Sequence, residues 1–157
     1  MPEGKKSRPA RPAARGGLNV GWLEESIGYN LRRADVHVRE NYRRMLGAWH
    51  VRPAEYSILR LVQGSPSATQ AELADILYIK RQNMGGLVTR LERQGWLRRG
   101  TDPDDARRQL LLLTAAGSKR LAQLTQAEAR VNRELTRGWS GAERKAVLRL
   151  LQRLYRR

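Results

Sequence analysis

The chain has 157 residues, a length that favours one domain. Lysine and arginine number 31 against 15 acidic residues, a formal charge of +16, with an isoelectric point near 11.4. That surplus favours a polyanionic partner, and the absence of cysteine excludes disulfides, thiolate metal sites and thiol redox switches.

Hydrophobic residues make up 40% of the chain, enough for a core. The longest apolar runs, such as the four leucines at 110–113, are too short to span a bilayer. Proline and arginine interrupt the first residues too often for a signal peptide. The expectation is a cytoplasmic protein with no membrane partner. Charge is unevenly spread. Residues 1–17 carry a net +4, residues 18–79 are close to neutral, and residues 80–109 carry +4. Residues 110–157 hold eleven basic side chains against three acidic ones, a net of +8.

Residues 1–17, rich in Pro, Gly, Ala and Arg, read as a disordered basic arm. From about Val20 an apolar stripe begins, with Ile27, Leu31, Ala34, Val38, Tyr42, Met45 and Trp49 at three- and four-residue steps. This predicts one long helix whose stripe exceeds what a small domain can cover, and hence a dimer interface. Pro53 suits the first position of the next helix, with Tyr56, Leu59 and Val62 inward and Gly64 at its end. Thr69 and Glu72 form a capping box for a short helix over 70–77, burying Leu73, Ala74 and Leu77.

A second helix is predicted over 81–94, with Met84, Leu87, Val88 and Leu91 on its core face and Gly95 as the left-handed terminator. Residues 96–99 and 109–113 are extended candidates joined by a Pro- and Asp-rich hairpin tip. Thr114 caps a helix to about Arg137, with Leu121, Leu124, Val131 and Leu135 inward. A last helix bears Val147, Leu150, Leu151 and Leu154. The predicted organisation is therefore a basic arm at 1–17, an N-terminal dimerisation helix at 18–52, a lobe at 53–113 that the motif below marks as DNA-binding, and C-terminal helices at 114–157 to which the resemblance below gives a part in dimerisation.

Two short helices with a tight turn, followed by a two-stranded hairpin, describe a winged helix-turn-helix in a mostly α-helical fold. The second helix of such a unit enters the major groove, and the hairpin reaches the backbone or the minor groove. Opposite its core stripe, the 81–94 helix presents Arg81, Gln82, Gly85, Gly86, Thr89, Arg90 and Arg93, with Lys80 and Asn83 near its start. Gln and Asn pair bidentately with adenine, and Arg with guanine. Gly85 and Gly86 each cost about 1 kcal/mol relative to Ala inside a helix. Close approach of the helix backbone to DNA would offset that cost, and tight helix packing is the alternative.

Over residues 69–117 the sequence resembles the multiple-antibiotic-resistance regulator (MarR) family of bacterial transcription factors. The specific parts are Thr69-Gln-Ala-Glu-Leu-Ala74, Leu87-Val-Thr-Arg-Leu-Glu-Arg-Gln-Gly95 and the hairpin segment 102–117, with Asp105-x-Arg107 and Leu111-x-Leu113-Thr114. The resemblance implies a homodimer with interlocked N- and C-terminal helices, its wings gripping double-stranded DNA outside the recognition helices. It implies that Arg107, beside Arg108, enters the minor groove, and that Asp105 orients a wing arginine. The chain departs from the family pattern at Tyr78, where glycine is frequent, and at Lys80 and Gly85, where small hydroxyl or acidic residues are frequent.

The aspartates at 102, 104 and 105 lack the glycine and glutamate that a calcium loop needs at its sixth and twelfth positions. His37 and His50 lie in no metal-binding motif, and no phosphate loop or paired nucleophile and base appears, so neither an enzyme, a metal nor a cofactor is expected. Asn30, Arg33, His37 and Asn41 form a polar strip along the first helix, with Trp22, Tyr29, Trp49 and His50 nearby in sequence or by pitch. Aromatic walls with a few cations suit a small aromatic carboxylate or its acyl-CoA thioester. A solvated helix side beside core aromatics is the alternative for these residues. The function predicted is a homodimeric regulator, a repressor bound to a palindromic operator and released by such an anion. A sequence-tolerant architectural DNA-binding protein without an effector is the alternative.

Overall fold

A computed structural model describes residues 21–47 and 50–156. The arm at 1–17 and Trp49 lie outside the described residues. Those described form seven helices and one antiparallel two-stranded sheet. The mostly α-helical class with a small hairpin agrees with the sequence.

The single helix expected from about Val20 is divided into α1 (Gly21–Glu24) and α2 (Ile27–Leu46). Ser26 makes the break: its Oγ accepts the Tyr29 N–H at 3.4 Å, which starts a helix anew. The Asn30 amide donates to the carbonyls of Glu24 at 2.7 Å and Ser26 at 2.9 Å, satisfying the end of α1. The Ile27 and Leu31 portion of the apolar stripe is exposed within the chain.

Helix α3 (Pro53–Gly64) opens on Pro53 as expected, and the Glu55 carboxylate accepts the Arg52 N–H at 2.8 Å. Helix α4 (Gln70–Ile76) carries the expected capping box. Thr69 Oγ1 accepts the Glu72 N–H at 3.3 Å, and Glu72 Oε2 accepts the Thr69 N–H at 2.7 Å. A tight turn follows in which Tyr78 adopts a left-handed φ of 52°, and α5 (Arg81–Arg93) begins. Met84, Val88 and Leu91 of α5 are fully buried against Ile58, Leu59 and Leu73 in one core, which Leu97, Leu111, Leu121 and Leu124 complete. Each such aliphatic side chain contributes about 1.5–3 kcal/mol through burial, so this core fixes α5 in the fold.

Gly95, at φ 71°, ends α5 as predicted. Strand β1 runs over Leu97–Thr101 and pairs with β2 (Gln109–Leu113), Leu97 opposite Leu113 and Thr101 opposite Gln109. The first strand thus extends beyond the predicted 96–99, because β2 offers a partner for each of five residues and the ladder fills it. The hairpin docks onto the helix-turn-helix through the Leu111 N–H, which donates to Ala68 O at 3.0 Å beside a bridge between Thr69 and Leu110.

Thr114 caps α6 (Ala115–Leu135), accepting the Gly117 N–H at 2.9 Å while donating to Gly95 O at 2.6 Å. Gly117 packs directly on Trp96: a Cβ there would lie 2.0 Å from the Trp96 carbonyl oxygen. Helix α7 (Gly141–Tyr155) starts with a second capping box, Ser140 with Glu143. Helix α7 buries none of its residues; Leu148, Leu150, Leu151 and Leu154 are exposed.

Candidate nucleic-acid interface

The burial of Met84, Val88 and Leu91 decides which face of α5 looks outward. Gln82, Gly86, Thr89 and Arg93 follow at three- and four-residue steps on that opposite face, all exposed, with Lys80, Arg81 and Asn83 exposed at the start. Around Gly86 there is open space, since nothing lies within 4 Å of where a Cβ would stand. Gly85 is half-buried, and its Cβ position lies 3.6 Å from the Gln70 amide nitrogen. The two glycines therefore differ. Gly85 borders on α4, whereas Gly86 leaves a bare stretch of helix backbone facing outward.

Arg90 departs from the outward placement expected of it. Its Nε lies 3.0 Å from Oε1 of the fully buried Glu55, and its Nη2 donates to the His50 carbonyl at 2.9 Å. The reason is position along α5: residue 90 follows Leu87 by three and precedes Leu91, at the edge of the core stripe. A buried carboxylate beside that edge captures the guanidinium.

The hairpin tip is built from its own polar side chains. Asp102 Oδ1 accepts the Asp104 N–H and Asp105 Oδ1 accepts the Arg107 N–H, each at 3.0 Å. The Asp105 carboxylate thus holds the backbone at Arg107, whose side chain is exposed. Arg108 instead turns back, with Nη2 2.8 Å from Glu72 Oε1 and 3.3 Å from Ser67 O, and Nη1 3.4 Å from Asp102. The two wing arginines have different tasks in the fold. Arg107 projects outward, and Arg108 ties the hairpin to α4.

Between the starts of α4 and α5 and the hairpin lies an open cleft of about 440 Å³ whose wall includes Gln70, Arg81, Arg99, Arg107, Arg108 and Gln109. Sequence reasoning missed Arg99 as part of this group. Arg99 is 3.0 Å from Glu92, and its guanidinium also reaches Gln109 and Gln70 at 3.3 and 3.4 Å. The strand alternation of Arg98 and Arg99 was the available signal, but which of them faces α4 depends on the register of the ladder. Among the described residues, no carboxylate pairs with the Arg107 guanidinium, and Arg81 has only an exposed approach to Asp75 at 3.6 Å. The cleft therefore keeps a positive charge that the fold does not neutralise.

The second group of expected residues lies near the start of the chain. Tyr29, Arg33 and His37 share an open groove of about 450 Å³ with Arg32, Val36 and Glu40. Trp22 is exposed. Asn30 is not available in the expected way, because its amide is bound to the Glu24 and Ser26 carbonyls. Asn41 is buried and accepts from Arg44 at 2.7 Å. His50 is exposed in the turn before α3, with a left-handed φ of 51°.

Away from the cleft, Glu128 of α6 accepts from Asn132 at 3.0 Å, Tyr56 at 3.4 Å and Tyr42 at 3.5 Å. Burial, with the Glu128 charge next, pushes the Tyr42 phenol up to about 12, so it stays a neutral donor.

Residues 51–108 match the model of the MarR family. A Thauera aromatica protein assigned to transcriptional regulation of the hcr operon is 31% identical over 137 residues, which span 87% of this chain and 82% of that protein. Among solved structures, the transcriptional repressor CouR bound to a 23-mer DNA duplex superposes with a TM-score of 0.84 at 32% identity, covering 90% of this chain and all of that one. The same repressor bound to p-coumaroyl-CoA gives a TM-score of 0.78 at 31% identity, over 88% of this chain and 98% of that one. With the capped helix-turn-helix, the docked hairpin and this extent of likeness in view, the chain belongs to the MarR family of winged helix-turn-helix transcriptional regulators.

Proposed function

We propose that the protein is a homodimeric, sequence-specific DNA-binding repressor, released from a palindromic operator by a small aromatic acid or its CoA thioester. The observation that carries the reading is the cleft lined by Arg81, Arg99, Arg107 and Arg108, beside the exposed outer face of α5. An α-helix fits the major groove, and a two-fold dimer sets two such helices about one helical turn, roughly 10–10.5 bp, apart. Arg81, Gln82, Asn83 and Thr89 read base edges, Arg93 reaches phosphate, and Arg107 enters the minor groove, where the potential is most negative. The exposed leucines of α7 and the uncovered stripe of α2 supply the dimer interface. Domain limits at 18–52, 53–113 and 114–157 follow from that division of work.

For the effector, the groove at Tyr29, Arg33 and His37 offers an aromatic wall beside cationic groups. CouR, which binds p-coumaroyl-CoA, gives the chemical class to try first. Effector binding shifts the population of DNA-competent dimers only through its different affinity for the two arrangements. Selection of bound sites from random duplex DNA tests the reading. An inverted repeat is expected, whereas equal affinity for random and palindromic duplexes would favour a sequence-tolerant architectural protein. Release of a selected site by p-coumaroyl-CoA or by p-coumarate tests the effector class.

A further inference from the structure

The inner side of the recognition helix holds a charged group that the DNA-reading face does not use. Glu55 is fully buried at the start of α3. One of its oxygens accepts the Arg52 N–H at 2.8 Å, and the other lies 3.0 Å from Arg90 Nε. Arg90 also donates to the carbonyl of His50 at 2.9 Å. Three segments therefore meet on one guanidinium: α5, the first turn of α3, and the turn between α2 and α3. His50 holds a left-handed backbone (φ 51°) in that turn, a conformation that non-glycine residues keep only where their surroundings fix it.

We infer that Arg90 is a positioning residue rather than a DNA contact, and that through Glu55 and His50 it makes the pose of α5 depend on the α2–α3 turn. The physical basis is the asymmetry of buried charge. A carboxylate out of water requires its cation, so α5 is held where the guanidinium reaches both Glu55 and the His50 carbonyl. The guanidinium makes an ion pair with Glu55 through one nitrogen and a hydrogen bond to the His50 carbonyl through another, a division that a lysine ammonium on a flexible stem does not reproduce. A shift of the turn that carries His50 thus either drags Arg90, and α5 with it, or breaks the group. This inference rests on the DNA-binding reading of α5 and adds to it the route by which that helix is set.

The test uses the full-length protein and the duplex selected for it, with Arg90→Gln, Arg90→Lys, Glu55→Gln and the double variant Glu55→Gln/Arg90→Gln. Affinity is measured across a range of salt concentrations. If Arg90 positions α5 through Glu55, Glu55→Gln and Arg90→Gln each weaken binding by roughly tenfold, the factor expected when the competent pose falls to about one molecule in ten. The double variant is then no worse than either single one, and the slope of log affinity against log salt stays that of the parent. Arg90→Lys does not restore affinity. A direct phosphate interaction gives a different pattern: Glu55→Gln binds like the parent, while Arg90→Gln lowers the slope by about 0.9 for each phosphate it ceases to neutralise. That pattern overturns the inference. The double variant, which buries no lone charge, keeps the comparison valid if a single variant fails to fold. Failure of the parent protein to select any duplex sinks the DNA-binding reading itself, so the two failures are distinguishable.

Discussion

The Arg108 guanidinium lies 2.8 Å from the Glu72 carboxylate, and through this pair the wing is fastened to the first helix of the helix-turn-helix. The same carboxylate accepts the Thr69 N–H at 2.7 Å and its hydroxyl at 2.8 Å. One side chain therefore caps α4 and holds the hairpin. Hydrogen bonds from the Thr69 backbone and hydroxyl, and then the Arg108 charge, hold Glu72 below the usual carboxylate range. Glu143 is lowered in the same way by the backbone and hydroxyl of Ser140.

Stability at low pH follows from those two carboxylates. Because their folded values are depressed, the stability they confer is complete above the unfolded value of about 4.3 and is lost as pH falls through the folded values. Thermal melts from neutral pH into the acid range should show this loss, and a Glu72→Gln/Glu143→Gln variant should show a shallower one. An identical acid limb in both proteins would remove the caps as its cause.

Gly117→Ala should destabilise the fold by about 3 kcal/mol, the upper end for overpacking. The added methyl would occupy a point 2.0 Å from the Trp96 carbonyl oxygen, which is backbone and cannot swing away. Urea denaturation measures the effect. A variant as stable as the parent would mean that α6 shifts freely against the Trp96 backbone.

At Gly86, the substitution to alanine should act in opposite directions on stability and binding. Open space and a gain in helix propensity predict stabilisation by about 1 kcal/mol. A methyl on the face presented to DNA should weaken operator binding, which fluorescence anisotropy reads. Unchanged affinity would place this stretch of backbone away from the duplex.

Tyr78→Gly should also stabilise the protein, by about 1 kcal/mol, since an L side chain in the left-handed region costs roughly that much. Tyr78 is 87% exposed, so its ring contributes little packing. A lower melting temperature for the glycine variant would show that the ring stabilises the turn by more than the strain costs.

Arg107→Ala and Gln82→Ala separate anchoring from reading. With two wings in a dimer, Arg107→Ala should weaken binding across all operator sequences and lower the salt slope, because a cation seated in the minor groove also displaces counterions. Gln82→Ala should leave the slope alone and relax one base position by about 1–3 kcal/mol. Binding of a randomised operator panel at several salt concentrations checks both. If both variants retained the parent's slope and base preference, the assignment of wing and helix to the two grooves would be wrong.

Local chemistry was legible in the sequence wherever a residue's role depends on near neighbours. The Thr69–Glu72 box, Pro53 at its helix start, Gly95 as terminator and the Met84, Val88, Leu91 stripe each follow from short spacings, and the structure places them so. The break at Ser26 is local too, but a continuous apolar period conceals it, because periodicity reports a face and not the backbone continuity beneath it. Partners distant in sequence were decided only by the tertiary fold. Arg90 and Arg93 read alike as cations on one helix, yet a carboxylate on α3 draws Arg90 inward and leaves Arg93 exposed. Arg107 and Arg108 are adjacent, and only the docking of the hairpin on α4 sends one outward and the other to Glu72. Charge fixes what a side chain seeks, but the chain's return in space fixes whether it finds that partner within the molecule or outside it.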